Sequence, residues 1–247
     1  MPERMIDVQV IRDAWFLTKM EYGGLRYKNL LSLLMIAYIT LMSIPLTRGL
    51  LEIDKETSFA YFFIDIYFLT LVPILGFIFN KKSMNYHRDD SYTVSLAHMR
   101  TMPISFQVMM TSRIIQMILP LVVNGTIFFT VQYLFAERLF EGMTLAQYIS
   151  YALVWLGYAV LMSAVYIYTE LTRSGKVYLG VTIVLMVCTI AAALICWFAK
   201  VSIIVFTVEV AKQSPLLAPI TMLAVSWLAI YISIISVRRK LKTRDLM

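Results

Sequence analysis

Charged residues are scarce in this sequence. They occupy 15% of the 247 positions, whereas hydrophobic residues occupy 60%. A soluble domain of this length cannot cover its surface with so little charge, so the composition excludes an ordinary water-soluble globule. It predicts that lipid is the main solvent around the chain.

Cysteine is nearly absent as well. The two cysteines, Cys188 and Cys196, lie in one apolar run. On a helix, eight residues place them about 12 Å apart along the axis and about 80° apart around it, which excludes a disulfide between them. We interpret both as buried apolar side chains, and the sequence gives no support for redox chemistry.

Glycine is too rare to provide a phosphate-binding loop. Among nine glycines, the Gly175-Lys176 pair has Glu170 where the loop's first glycine belongs and Val177 where its hydroxyl belongs. The chain is therefore expected to bind no ATP of its own and to contain no cofactor. Any ATP would be bound by partner subunits.

Catalytic patterns are also missing. The two histidines, His87 and His98, form no zinc-binding pattern, and no nucleophile elbow occurs. Asp65 is the one formal charge within the apolar runs, so an intramembrane pair of acidic groups is lacking. We predict that the chain is not an enzyme.

What the sequence does contain is a series of apolar runs long enough to span a bilayer core of about 30 Å as helices. There are six such runs: Leu30–Thr47, Phe59–Phe79, Ile114–Phe135, Ile149–Thr169, Val177–Ala199 and Leu216–Val237. They predict an all-α membrane protein in which residues 1–247 form a single domain of six transmembrane helices.

The basic residues predict the orientation of these helices. When all 22 are assigned to alternating sides, seventeen fall on the side that holds both termini and five on the other. Because cationic loops remain in the cytoplasm, we place both termini there, in a multi-pass protein of a bacterial plasma membrane. The same bias explains the net charge of +7, so no nucleic-acid partner is predicted.

Residues 1–29 are predicted to form a cytoplasmic amphipathic helix at the membrane surface. One stripe of this segment is apolar and consists of Val8, Ile11, Trp15 and Tyr22. A second face carries a cation every seven residues, at Arg12, Lys19 and Arg26. This pattern favours contact with membrane lipid over the alternative of a solvated basic tail.

Residues 80–112 form the longest polar segment, which lies on the predicted cytoplasmic side. Asp89, Asp90 or Ser91 is expected to cap a short helix that Pro103 ends, and Ser105 to cap the next helix. On the outer side, residues 200–215 include an apolar stretch, 201–208, that is too short to span a bilayer. A re-entrant or interfacial piece and a plain loop are both open interpretations of this stretch.

Three polar residues within the apolar runs are candidates for a translocation path, namely Asp65, Gln116 and Asn124. A carboxylate is costly in lipid, so Asp65 is expected to face the helix bundle. Its alternative role is structural, through a bond to a neighbouring helix. Prolines at 45, 73 and 120 permit kinks in their helices.

The arrangement resembles the membrane subunit of ATP-binding cassette transporters of the ABC-2 type, with a type V exporter-like architecture. At residue level, the resemblance rests on Met99-Arg100-Thr101-Met102-Pro103-Ile104-Ser105 followed by Arg113. These residues are similar to the family's leucine-proline-aliphatic-serine entry into the third helix, with methionine where leucine is usual. A basic residue follows about two turns later.

The resemblance implies a permease that dimerises with a second copy or a homologous permease and binds separate ATPase subunits. It implies export of a peptide, a lipid-linked compound or a drug-like substrate. The segment Ser91–Met102 would be the coupling helix. The residues implied in contact with the ATPase are Ser91, Val94, Leu96, Met99, Arg100, Met102 and Pro103.

Two other functions remain open at this point. A membrane receptor, immunity protein or scaffold without transport activity would have the same composition and topology. An intramembrane enzyme is disfavoured, because it needs at least two convergent polar groups at membrane depth and Asp65 is the one ionisable group there.

Overall fold

The computed structural model describes residues 8–23, 26–49, 59–77, 101 and 104–243. This part of the chain is helical apart from short connections and contains no strand, which confirms the predicted all-α class. Its helices are α1 (Val8–Gly23), α2 (Arg26–Gly49), α3 (Phe59–Leu71), α4 (Phe106–Phe135), α5 (Leu145–Thr172), α6 (Gly175–Phe198), α7 (Ile203–Gln213) and α8 (Leu217–Thr243). Two 3-10 turns, Val72–Gly76 and Glu137–Phe140, follow α3 and α4.

Five helical segments among the described residues are long and apolar enough to cross a membrane. They are Phe59–Gly76, Phe106–Phe135, Leu145–Thr172, Gly175–Phe198 and Leu217–Leu241. The first predicted span falls within α2, where the apolar stretch Leu34–Thr47 is shorter. These segments indicate a membrane-embedded helical protein.

The core of the bundle is aromatic and lies between α3, α4 and α5. The Phe68 ring lies 5.1 Å from Trp155 and 5.9 Å from Phe128, and all three side chains are buried. By contrast, 6% of the residues in the most apolar stretch of α6 are buried, and Ile183 and Val187 are exposed. Apolar side chains on the outside are what a lipid environment requires.

The helices α5 and α8 pack closely along small residues. Ser226 donates to the Gly157 carbonyl at 2.6 Å, and Ser233 donates to the Ala164 carbonyl at 3.1 Å. In each pair the partners are 69 residues apart, so the two helices run in the same direction, as predicted for the fourth and sixth spans. A Cβ at Gly157 would lie 2.9 Å from Met222 Cγ, which explains the need for glycine at this crossing.

The helix α1 packs against the first turns of α4. Its buried side chains are Ala14 and Thr18. The predicted apolar stripe is therefore not the packed face, because Ile11 and Trp15 remain exposed. The surface of α1 that contacts protein is small and polar, and its large apolar side chains point away from the bundle.

Two ends of the bundle can be distinguished by these contacts. At the α1 end, α1 packs against the start of α4. Met109 of α4 shares one apolar cluster there with Leu171 of α5 and Val237 of α8. At the α7 end, α7 packs against α3 and α5. The exposed cations of the α1 end are Arg12, Lys19, Arg173, Lys176, Arg238, Arg239 and Lys240.

The predicted coupling segment falls largely outside the described residues. Of residues 80–112, the structure describes Thr101 and 104–112. The predicted ATPase-contact residues Ser91, Val94, Leu96, Met99, Arg100, Met102 and Pro103 all lie outside the described part of the chain.

Candidate functional site

Asp65 lies in the middle of α3 and is bonded to the start of α7. Its Oδ1 accepts hydrogen bonds from Ser202 Oγ and from the Ile204 N–H, both at 3.0 Å. Its Oδ2 accepts from the Ile203 N–H at 2.9 Å. With 1% of its surface exposed, Asp65 faces protein, as expected for a carboxylate in an apolar run.

This contact supplies the N-terminal cap of α7 from a different helix. The first N–H groups of a helix lack partners within the helix, and its N-terminus attracts negative charge. Ser202 stands at the cap position but its side chain accepts no hydrogen bond from the backbone of α7. Asp65 provides the missing acceptor, so the structural role that the sequence left open for it is observed.

Two side chains of α5 hold the rest of α7. Trp155 Nε1 donates to Thr207 Oγ1 at 3.2 Å, and Gln147 Nε2 donates to the Lys212 carbonyl at 3.0 Å. Most of the predicted outer segment 200–215 is therefore a packed helix, Ile203–Gln213, and the interpretation of its apolar stretch as a plain loop is wrong. Ile204 and Val208 bury its apolar face in the core.

Asn124 belongs to a second polar contact, at the point where α3 changes into a 3-10 turn. Pro73 has no N–H, so the Leu69 carbonyl loses its normal partner four residues later. Tyr158 OH donates to that carbonyl at 2.9 Å. Asn124 Nδ2 donates to the Leu75 carbonyl at 2.8 Å. Side chains of α5 and α4 thus satisfy backbone groups at the helix break, which lipid could not do.

Gln116 belongs to a third contact, at the α1 end, where Arg113 lies between two glutamates. Arg113 Nη1 lies 3.2 Å from Glu21 of α1, and Nη2 lies 3.4 Å from Glu170 of α5. The exposed fractions of the three side chains are 11%, 17% and 20% in that order. One guanidinium therefore joins three helices.

The amide of Gln116 extends this arrangement. Its Oε1 accepts from Arg113 Nη1 at 2.8 Å, and its Nε2 donates to Ser112 Oγ at 3.1 Å. The Ser112 hydroxyl lies 3.0 Å from the Thr18 hydroxyl of α1. Together these residues form a continuous polar network, which we call the Arg113 network: Thr18, Glu21, Ser112, Arg113, Gln116 and Glu170.

The structure does not bring the three predicted path residues together. Asp65 contacts α7, Asn124 contacts the 3-10 turn, and Gln116 contacts Arg113. Each has protein partners of its own, so a shared path lined by all three stays a prediction. Further buried polar atoms have no hydrogen-bond partner among the described residues, and they belong to Thr70, Gln132, Ser150 and Tyr151.

Cysteine and metal chemistry gain no support from the geometry. Cys188 is exposed, so the interpretation of both cysteines as buried is wrong for this residue, whose helix α6 faces outward. Cys196 is half-buried. Within the described ranges, no three His, Cys, Asp or Glu side chains come close enough together to hold a metal ion.

Sequence reasoning found Arg113 and Asp65 but missed their partners. Glu21 is 92 residues from Arg113, and Ser202 is 137 residues from Asp65. The two charges indicated that partners exist, because an arginine or aspartate in an apolar helix needs one. The sequence spacing does not indicate which residues these partners are.

Comparison with known proteins gives no match. No protein-family model matches the chain, and no curated protein or solved structure matches it significantly.

Proposed function

We propose that this chain is the permease subunit of an ABC-2 type ATP-binding cassette transporter. It would have six spans, with α2 as the first, and would work as a dimer with a second copy or a homologous permease. Separate ATPase subunits would bind ATP and drive export of a peptide, lipid-linked or drug-like substrate.

The observation that carries this proposal is the Arg113 network. The short stretch that resembles the family, Met99 to Ser105 followed by Arg113, leads directly into it. Ser105 caps α4, since its Oγ accepts from the Val108 N–H at 3.3 Å, as predicted. Two turns later, Arg113 contacts both α1 and α5. A displacement of the segment before Ser105 would thus be passed on to three helices at once.

The position of the cations supports the orientation of the proposed permease. The exposed cations named above lie at the α1 end, where α5 and α8 finish and α6 begins. With this end in the cytoplasm, α7 would lie at the outer surface. Asp65 and the contacts of α7 would then stabilise the outer side while the α1 end moves.

Reconstitution tests the proposal. The protein is purified from its native membrane together with any ATPase that binds it and placed in vesicles, and ATP-dependent movement of candidate substrates is measured. The double variant Leu96→Asp/Met99→Asp, in the proposed coupling segment, should release the ATPase or abolish transport. The matched control Gln213→Asp/Leu216→Asp, at the connection between α7 and α8, should retain both.

Three outcomes would reject the permease. One is a Leu96→Asp/Met99→Asp variant that still binds the ATPase and transports. A second is a wild-type complex that binds the ATPase but moves no substrate, which would favour a receptor or scaffold. A third is the absence of any associated ATPase in the membrane from which the protein is purified.

A further inference from the structure

The outward surface of α1 combines cations with large apolar side chains. Arg12 and Lys19 are exposed and lie seven residues apart, so they share one face of the helix. Ile11 and Trp15 lie on one side of this face, and Phe16 lies on the other. All three apolar side chains are at least 40% exposed.

The opposite surface of α1 packs against the protein, and this contact determines the direction in which the outward surface points. Ala14 and Thr18 are fully buried against α4, and Glu21 contacts Arg113. The helix α4 is one of the segments that can cross a membrane, and α1 packs beside its first turns. The outward surface of α1 therefore lies near one end of a spanning segment. Trp15, with Lys19 Nζ 5.6 Å from its ring centroid, has the amphipathic character typical of the membrane–water interface.

The charge around α1 is strongly positive. Arg173, Lys176, Arg238 and Arg239 are exposed at the same end. The described acidic residues of this end are Asp13, Glu21 and Glu170. Asp13 lies 3.9 Å from Arg12, as an exposed pair, and the other two contact Arg113. A surface with excess cations beside an apolar bundle attracts anions that are themselves part of a membrane.

We propose that α1 carries a binding surface for anionic phospholipid, independent of any transport function. Arg12 and Lys19 bind the phosphate groups, while Ile11, Trp15 and Phe16 contact the upper acyl chains. Cations here lie directly beside large apolar side chains. This arrangement favours a lipid over a protein partner, because a membrane leaflet places headgroup charge directly above hydrocarbon. The lipid would hold the free side of α1, and the Arg113 network the other.

Lipid binding to the purified full-length protein tests this proposal. Native mass spectrometry compares the binding of phosphatidylglycerol and phosphatidylcholine by the wild type, by Arg12→Gln/Lys19→Gln and by Lys200→Gln/Lys212→Gln. The last variant removes the same charge from the α7 end. We expect a preference for phosphatidylglycerol in the wild type. Loss of Arg12 and Lys19 should weaken it by about fivefold per cation, whereas the control should keep it.

The proposal is overturned if the wild type shows no preference, if both double variants lose it equally, or if Arg12→Gln/Lys19→Gln keeps it. Retained lipid preference together with loss of a co-purifying protein would show that α1 is instead a protein contact. Because Arg12 and Lys19 are both exposed, thermal unfolding of Arg12→Gln/Lys19→Gln should match that of the wild type. The measurement needs no ATPase, so its result does not depend on the permease proposal.

Discussion

Asp65 is a buried charge and Arg113 a largely buried one, and both join distant parts of the chain, but their surroundings differ. Asp65 accepts three hydrogen bonds from uncharged donors, two of them backbone N–H groups. Arg113 lies between two carboxylates and beside an amide. The first charge is balanced by the dipole of a helix, and the second by opposite charges on side chains.

The two ends of the bundle should therefore differ in how easily their helix contacts are broken. The backbone donors around Asp65 do not titrate and are kept in every side-chain substitution except proline, so α7 stays attached for as long as the carboxylate is present. At the α1 end, the charged part of the attachment depends on side chains that are partly exposed, with two acids for one base. The α1 end is therefore the one whose attachment is more easily altered.

Replacing Asp65 should have the largest effect on stability. Asp65→Ala leaves the Ser202 hydroxyl and the N–H groups of Ile203 and Ile204 without their acceptor, and we expect a loss of about 4 kcal/mol in the free energy of unfolding. Asp65→Asn should cost less, because its amide oxygen can still accept from Ser202 and Ile204, although its NH₂ group then faces the Ile203 N–H. Thermal unfolding in detergent measures both.

Ser202→Ala is the control for Asp65, because it removes one of the three donors and should cost about 1 kcal/mol. A loss in Asp65→Ala no larger than that in Ser202→Ala would contradict the capping role. If Asp65→Asn folds normally yet changes transport, Asp65 also contributes to the path; unchanged transport would leave it purely structural.

Replacing Arg113 should have the next largest effect. Arg113→Met leaves Glu21 and Glu170 close together without their cation, and breaking such a largely buried pair costs about 3 kcal/mol. The triple variant Arg113→Met/Glu21→Gln/Glu170→Gln removes the stranded charges and should recover at least half of the loss. If the triple variant is as unstable as Arg113→Met, packing and not charge explains the role of Arg113.

A smaller effect is expected at the neutral contact between α3 and α5. Tyr158→Phe removes the donor to the Leu69 carbonyl and should cost about 1 kcal/mol. In a Pro73→Ala background, residue 73 regains an N–H that can serve this carbonyl, so the same substitution should cost less. Equal costs in the two backgrounds would show that Pro73 is not the reason for the Tyr158 contact.

Much of the fold was predictable because lipid imposes a simple rule on the sequence. Apolar runs of sufficient length become helices, and five of the six predicted spans correspond to segments that can cross a membrane. The cap at Ser105 was also predictable, since a serine directly before an apolar run is a typical helix cap.

The contacts within the fold were less predictable. The helix α7 could not be distinguished from a loop, because its stability depends on Asp65 and Trp155 from other helices. The three prolines also looked alike in sequence. Pro73 begins a 3-10 turn, whereas Pro45 and Pro120 lie inside continuous helices. The break in the helix at Pro73 is stabilised by a tertiary partner, Tyr158, which donates to the Leu69 carbonyl.

The proposed permease requires the α1 end of the bundle to lie in the cytoplasm and the α7 end to lie outside. Single cysteines at Lys176 and Gln213, introduced separately into a variant with Cys188→Ser and Cys196→Ser, can be labelled in intact cells with a membrane-impermeant maleimide. Both positions are exposed. We predict that Gln213→Cys is labelled from outside and that Lys176→Cys is labelled only after the membrane is opened. Labelling of both from the same side, or in the reverse order, would contradict the account.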